Sequence, residues 1–500
     1  MRRLTGILPV LLLVAILPAL SRPEPPAGEE PGVLRVLVSY QSPDPFLPWQ
    51  RRQPSRHTGY GALVAPNRVL APESFLRNRT LVELLRPRSG TRTQARLLMS
   101  DPQVDLALLD LPDGERYGDL APIPPLAQLD RSRPVEILQF DETSELQRVR
   151  AAVERVAMSS LPHAPYRTLT FTLQTESSID ATGAPVVQDG GLAGLIIDYD
   201  NESRTATMLP HSEIARFLDD VATPPYRGFA TAGFFRETLV DPARRAYLGV
   251  PDAAAEQGIL VVSCIPGAPA SDALRANDVI LEWDGHVISS LGYYNDPDYG
   301  RLDFSYLILG RRRPGEEVPV RIIRDGAEQV VKVGMQRRSP SWDLIPENVT
   351  GRPEEYLIEG GLVIRELTGR YIRSYGSDWM RKIDSRIAHL YLTRQYAPLS
   401  PGERIVILSG VLADPINIGY QDLNNQIITG INGEPIHNMA DVFRIAERDR
   451  HLERISLQSI GVEVVLDTNK LQAANRRLSG LYQIPSLRYQ RAPGTPGTQD

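Results

Sequence analysis

A single cysteine in 500 residues, Cys264, leaves no intrachain disulfide to staple the fold. It sits in the apolar run Leu260-Val261-Val262-Ser263-Cys264-Ile265, which reads as a strand, so a small hydrophobe is expected there rather than a nucleophile. Basic excess is also lacking. Sixty-one Asp and Glu against 55 Lys and Arg give a formal charge of −6, and nothing in that balance calls for nucleic acid as a partner. No apolar run is long enough to make a good membrane span: the best, residues 7–20, is short and broken by proline. Histidine is scarce, with seven in the chain. Chemistry that needs a base near neutral pH has few side chains to draw on.

What is present begins with an export pattern. Met1-Arg2-Arg3, the apolar residues 7–20 and Ala19-Leu20-Ser21 make a signal peptide over residues 1–21. The competing expectation is an uncleaved N-terminal anchor. Both put the bulk of the chain outside the cytoplasm. Residues 22–32 are rich in Pro, Glu and Gly and read as a disordered spacer.

Length suggests about three domains. Residues 33–222 carry many short strands with turn signals between them, an all-β barrel or sandwich, closed by a helix at His211–Val221. Residues 228–335 run strand, Pro266-Gly267-Ala268-Pro269-Ala270 turn, then Leu274 to Gly285 with a tight Asp284-Gly285 hairpin turn. A helix at Leu302–Leu309 places Phe304, Leu307 and Ile308 on one face. Asn277 stands where a glycine is usual, which Asn tolerates because it enters the left-handed region readily. Residues 340–470 repeat this scheme with an insertion, including a strand through Gly360-Gly361 and a helix at Met439–Arg448. Residues 471–500 make a C-terminal helix and a disordered tail.

Three segments carry chemistry. Thr58-Gly59-Tyr60-Gly61-Ala62-Leu63-Val64 leads to Arg68-Val69-Leu70-Ala71-Pro72-Glu73-Ser74-Phe75. Asp105-Leu106-Ala107-Leu108-Leu109 opens an apolar strand. Gln174-Thr175-Glu176-Ser177-Ser178-Ile179-Asp180-Ala181-Thr182-Gly183-Ala184-Pro185 reads, alone, as strand–turn–strand. Together they resemble the trypsin-like proteases of the HtrA/Deg family, whose motifs are Arg-(Val/Ile)-Leu-Thr-Asn-Ala-His, Asp-x-Ala-Leu-Leu and Gly-Asn-Ser-Gly-Gly. On that resemblance Ser74 takes the histidine position, Asp105 the aspartate and Thr182 the nucleophilic serine, and the nucleophile turn is two residues short. A serine hydroxyl has no titration near neutral pH and cannot replace the base. An internal threonine has no base of its own. His57, His163 and His211 are expected in surface loops. No catalytic residue is therefore expected intact, and neither metal nor cofactor is called for.

The resemblance extends over roughly residues 48–485. It implies a mainly β fold: a trypsin-like double β-barrel followed by two α+β PDZ domains, the second similar to that of plant-type Deg proteases. A PDZ domain binds an extended C-terminal peptide beside a strand, with the carboxylate on a Φ-Gly-Φ loop. Ala232-Gly233-Phe234 is the candidate loop, and Phe304, Leu307 and Ile308 the candidate apolar wall. In the second PDZ, Glu359 beside Gly360-Gly361 would repel a carboxylate, so those glycines read as a turn, with an internal segment as the alternative occupant. Implied partners are peptide or protein C-termini and unfolded proteins, and relatives imply a homo-oligomer. Three functions stay open: a peptide-binding protein without protease activity, an active serine endopeptidase, and a structural assembly subunit.

Overall fold

The computed structural model describes residues 30–491, apart from 87–88, 113–116, 118–119, 162–166, 181, 348–353, 450 and 459–462. The signal-peptide reading, most of the spacer, His163 and residues 492–500 lie outside the described residues. Among the described residues no helix is long and apolar enough to cross a membrane.

The chain is mainly β, as the resemblance implies. The first sheet has seven strands in the order Arg92–Gln94, Arg79–Leu85, Val33–Tyr40, Ser55–Ala65, Arg68–Ala71, Leu106–Asp110, Arg96–Asp101. Alternation decides its faces. In Leu106–Asp110, Ala107 and Leu109 point into the barrel core beside Leu63 and Val69. Leu106 and Leu108 point the other way, into a cluster shared with the second barrel. A strand buried on both faces reads as an unbroken apolar run, which explains Leu-Ala-Leu-Leu.

The second barrel is closed by six strands: Val135–Phe140, Leu146–Ser160, Arg167–Thr175, Thr205–Pro210, Gly191–Asp200 and Pro185–Gln188. Helix His211–Ala222 ends it, and buries Ile214 and Phe217. His211 is therefore buried at the start of a helix, not in a surface loop. His57 is likewise in the strand Ser55–Ala65, half-buried between Tyr40 and Phe75.

The third unit is a five-strand path, Phe234–Thr238, Ile259–Cys264, Val279–Trp283, Glu317–Arg324 and Ala327–Gly334. Asn277 has φ +74°, and the turn residues Asp284 and Gly285 have φ +54° and +78°. The expected helix over Leu302–Leu309 is shorter. Gly300–Asp303 is a strand paired with Tyr293–Asp296, and the helix spans Ser305–Leu309. Asp303 sets the break: its Oδ1 accepts from the Ser305 amide at 3.0 Å and the Ser305 hydroxyl at 2.7 Å.

The fourth unit holds Tyr356–Glu359, Leu362–Glu366, Val406–Val411, Gln426–Ile431 and Arg454–Leu457 in one sheet, with helices Met439–Asp449 and Thr468–Leu481. Short helices between Gly369 and Arg394 are inserted after its second strand. Gly360-Gly361 is not inside a strand. It is a two-residue hairpin turn between Glu359 and Leu362, with φ +55° and +85°.

The units contact one another in a closed sequence. Arg216 of the barrel's helix donates to the Leu309 and Arg312 carbonyls, and Tyr299 donates to the Ser212 hydroxyl at 3.3 Å. Phe235 stacks on Tyr396, ring centres 6.0 Å apart, and so joins the third unit to the fourth. The loop between the first two long strands docks back on the fourth unit. Arg365 donates to the Pro45 carbonyl at 2.6 Å and Arg370 to that of Pro43 at 2.7 Å, while Phe46 packs edge-on against Tyr375.

Candidate functional site

The segments that resemble a catalytic triad meet between the barrels. Asp105 sits in a turn with φ +55°, directly before the doubly buried strand. The short turn that starts at Ser74 is pinned onto it. Glu73 N–H donates to the Asp105 carbonyl at 3.2 Å. The Ser74 amide donates to Asp105 Oδ1 at 2.6 Å, and the Ser74 hydroxyl to Oδ2 at 2.9 Å. The serine hydroxyl thus satisfies the aspartate that would otherwise orient an imidazole. Asp105 is 5 % exposed, and burial pushes its carboxyl up to about 6, opposed by the Ser74 hydrogen bonds.

Thr182 is exposed, and its carbonyl accepts from the Tyr60 amide at 2.8 Å. Two nearby amides are committed elsewhere. Gly183 N–H donates to the Ile196 carbonyl at 2.8 Å. Asp180 N–H, two residues before Thr182, donates to Gln139 Oε1 at 2.8 Å. Position 183 must be glycine: φ is +80°, and a Cβ would fall 2.1 Å from the Tyr60 carbonyl. Close contact also accounts for Gly59, where a Cβ would meet the Thr182 carbonyl at 2.7 Å and the Phe75 ring at 2.8 Å. The role of Gln139 was not legible in the sequence, because it lies 41 residues from the amide it holds.

The His57 ring nitrogen Nε2 lies 2.7 Å from the Phe75 carbonyl. Burial holds the His211 imidazole below its ordinary value. Cys264 is half-buried in its strand, and burial pushes the thiol up to about 11, against a nucleophilic role.

A second site lies in the third unit. Among the described residues strand Phe234–Thr238 pairs only with Ile259–Cys264 and is the free edge of its sheet. A groove of about 600 Å³ runs between this edge and the helix Ser305–Leu309. Ala232, Gly233, Phe234, Phe304 and Ile308 line it. Leu307 does not; it is buried in the core beneath. Gly233 has φ +77°, and a Cβ there would lie 2.3 Å from Ala268 Cβ. Among the described residues the amides of Ala232 and Gly233 have no internal acceptor, while their carbonyls accept from Ala270 and Ile265 at 2.9 Å each. The floor is aromatic, with Phe234 stacked 5.7 Å from Trp283. Phe235, Leu291 and Tyr293 form an exposed apolar rim. The sequence did not show that Arg167 from the second barrel and Tyr396 from the inserted segment also line the groove.

The fourth unit differs at the equivalent place. Leu362–Glu366 is paired on both sides, by Tyr356–Glu359 and by Val406–Val411. The Gly360 amide donates to Asn475 Oδ1 at 2.8 Å, and the Gly360 carbonyl accepts from Asn417. Glu359 is buried and accepts from the Leu452 amide at 3.2 Å. The turn reading of these glycines fits this geometry.

Fold and groove define a trypsin-like double barrel joined to two PDZ domains. PDZ-domain models match residues 246–335 and 345–490. Over most of its length the chain is similar to HtrA/Deg-type proteases that carry PDZ domains. It is 26 % identical to Protease Do-like 2, chloroplastic, of Arabidopsis thaliana, over 91 % of this chain and 74 % of that protein. To Protease Do-like 4, mitochondrial, of the same plant it is 24 % identical, over 91 % and 84 %. Among solved structures, a variant of the HtrA-type protease AlgW with a decapeptide superposes with a TM-score of 0.50 at 17 % identity, covering 63 % of this chain and 97 % of that one.

Proposed function

We propose that this Deg-type chain captures extended peptide C-termini, including those of unfolded proteins, in its first PDZ groove and does not cleave them. The observation that carries the capture half is the free edge strand Phe234–Thr238 beside an apolar groove that ends in unpaired amides at Ala232 and Gly233. A peptide added to that edge gains main-chain hydrogen bonds, and the amides receive its carboxylate. Affinity is expected to be modest, because the peptide's ordering entropy opposes it.

Three features support the absence of cleavage. Ser74 offers Asp105 a hydroxyl and no titratable base. Among the described residues no base hydrogen-bonds the Thr182 hydroxyl. The amide of Asp180, which would serve a tetrahedral intermediate if the turn kept the family's geometry, is held by Gln139. The second reading, an active endopeptidase, draws on the similarity to Deg-type proteases. Incubation of the purified chain with an unfolded casein-type substrate separates the two. No cleavage is expected; robust cleavage that disappears in Thr182→Ala would establish the endopeptidase instead.

The capture half is tested with labelled peptides bearing free or amidated C-termini. Binding of the free form alone is expected. Equal binding of both forms, or of neither, leaves a structural-subunit role. The site of action proposed is outside the cytoplasm, on the strength of residues 1–21, and a homo-oligomeric state is carried over from the family alone.

A further inference from the structure

The groove is not built by the PDZ domain alone. Arg167, the first residue of a strand in the second barrel, reaches its wall, paired in register with Ser160. The charges around it do not balance. Among the described residues Asp303 is the sole acidic one that lines the groove, and it faces two guanidinium groups. Arg236 holds Asp303 Oδ2 at 2.6 Å and stacks over Phe304 at 4.7 Å, so it belongs to the floor. Arg167 stands off at 3.7 Å from the same oxygen and stays 56 % exposed. Arg338, the third cation on the wall, is already paired with Asp343. One carboxylate neutralises one arginine, and Arg167 is the surplus charge.

We propose that Arg167 selects peptides with an acidic side chain upstream of the apolar C-terminal residue. This rests on the groove being a peptide site. Side chains of an extended peptide alternate, so those on one face turn toward the helix and those on the other toward the barrel. A carboxylate on the barrel side meets Arg167 in a partly desolvated wall, where a charge-assisted hydrogen bond forms. Because the arginine comes from a different folding unit, the preference requires the barrel and the PDZ domain to hold their present placement. An isolated PDZ domain would bind without it.

The test uses the full chain and labelled octapeptides with a free, apolar C-terminus. Glu or Gln is placed in turn at each of the four positions before the last residue. At one or two positions Glu is expected to bind roughly three- to fivefold more tightly than Gln, the upper part of what half-exposed ion pairs give. That advantage should shrink in high salt. Arg167→Gln should remove it, so that the variant binds Glu and Gln peptides alike. Arg301→Gln is the control, since Arg301 stacks on Tyr293 at 4.4 Å but does not line the groove. Equal binding of Glu and Gln peptides at every position overturns the proposal while the peptide groove stands. So does a preference that survives Arg167→Gln or is lost in Arg301→Gln. Failure of every peptide to bind removes the groove reading and this inference with it.

Discussion

Asp105→Asn should stabilise the protein above pH 6 and do little below pH 4. The aspartate is 5 % exposed and sits beside Glu73, which is itself buried. Its carboxyl is pushed from an ordinary 3.8 up to about 6, first by burial. In the unfolded chain the proton leaves near pH 4; in the folded chain it stays until about 6. Across that window the native state binds more protons than the unfolded state, so stability falls as pH rises. At 1.36 kcal/mol per tenfold change in proton affinity, the rise from 3.8 to about 6 sets the full loss at roughly 3 kcal/mol. Asparagine keeps the shape and the left-handed backbone, accepts from the Ser74 amide and never ionises. Buried Glu213, pushed up to about 7 by burial, adds its own pH dependence to both proteins, and the difference between variant and wild type cancels it. A chain of several domains does not unfold in one step, so a single melting temperature is the wrong readout. Hydrogen exchange at the amides of Ser55–Ala65, Arg68–Ala71 and Leu106–Asp110 reports the local opening free energy instead. The variant's advantage should rise from near zero at pH 4 to about 1–3 kcal/mol at pH 7.5. A pH-independent difference, or a variant less protected at pH 7.5, would refute the reasoning.

Restoring side chains should not restore activity: Ser74→His with Thr182→Ser is expected to give little or no casein cleavage, because Gln139 still holds the Asp180 amide. Ordinary protease rates in that double variant would show that the oxyanion donors had kept their geometry. Gly233→Ala should lose binding of free-carboxylate peptides, since a Cβ there meets Ala268 Cβ at 2.3 Å and the backbone is left-handed; unchanged titration curves would dismiss the loop as the carboxylate seat. Arg365→Ala leaves buried Glu354 without its ion-pair partner, holding only the Thr368 hydroxyl at 3.3 Å, and the Pro45 carbonyl without its donor. A cost of about 3–5 kcal/mol is expected in the second PDZ domain, with faster proteolysis of the loop 41–54; wild-type protection of both would count against the clamp.

Much of this fold was legible because its determinants are local. Asp284-Gly285 and Asn277 announce backbone conformations that few other residues adopt, and the apolar run Leu106–Leu109 announces a strand buried on both faces. The triad-like positions were legible by resemblance, but their bonding was not. That Ser74 would satisfy Asp105, or that Gln139 would take the Asp180 amide, depends on side chains brought together from distant strands. The helix at Leu302–Leu309 was overextended because apolar spacing at i, i+3, i+4 ignores Asp303, whose carboxylate closes a turn onto Ser305. The strand and helix positions of His57 and His211 are not legible in the sequence, because a lone histidine carries no period. Arg167 and Tyr396 could not have been assigned to the groove, since each comes from a unit other than the one that supplies its floor.

The loop that returns from the first barrel to the second PDZ domain turns a string of units into a ring. Barrel meets barrel through the shared apolar cluster, the second barrel meets the first PDZ through Arg216, that PDZ meets the next through Phe235 and Tyr396, and Arg365 closes the circuit at Pro45. In an open string one joint can bend while the others rest. In a ring each joint is constrained by the others, and the Asp101–Arg337 pair adds a strut from the first barrel to the first PDZ domain. The groove wall made by Arg167 and Tyr396 therefore stands within a closed circuit whose far side is the pair of proline carbonyls held by Arg365 and Arg370.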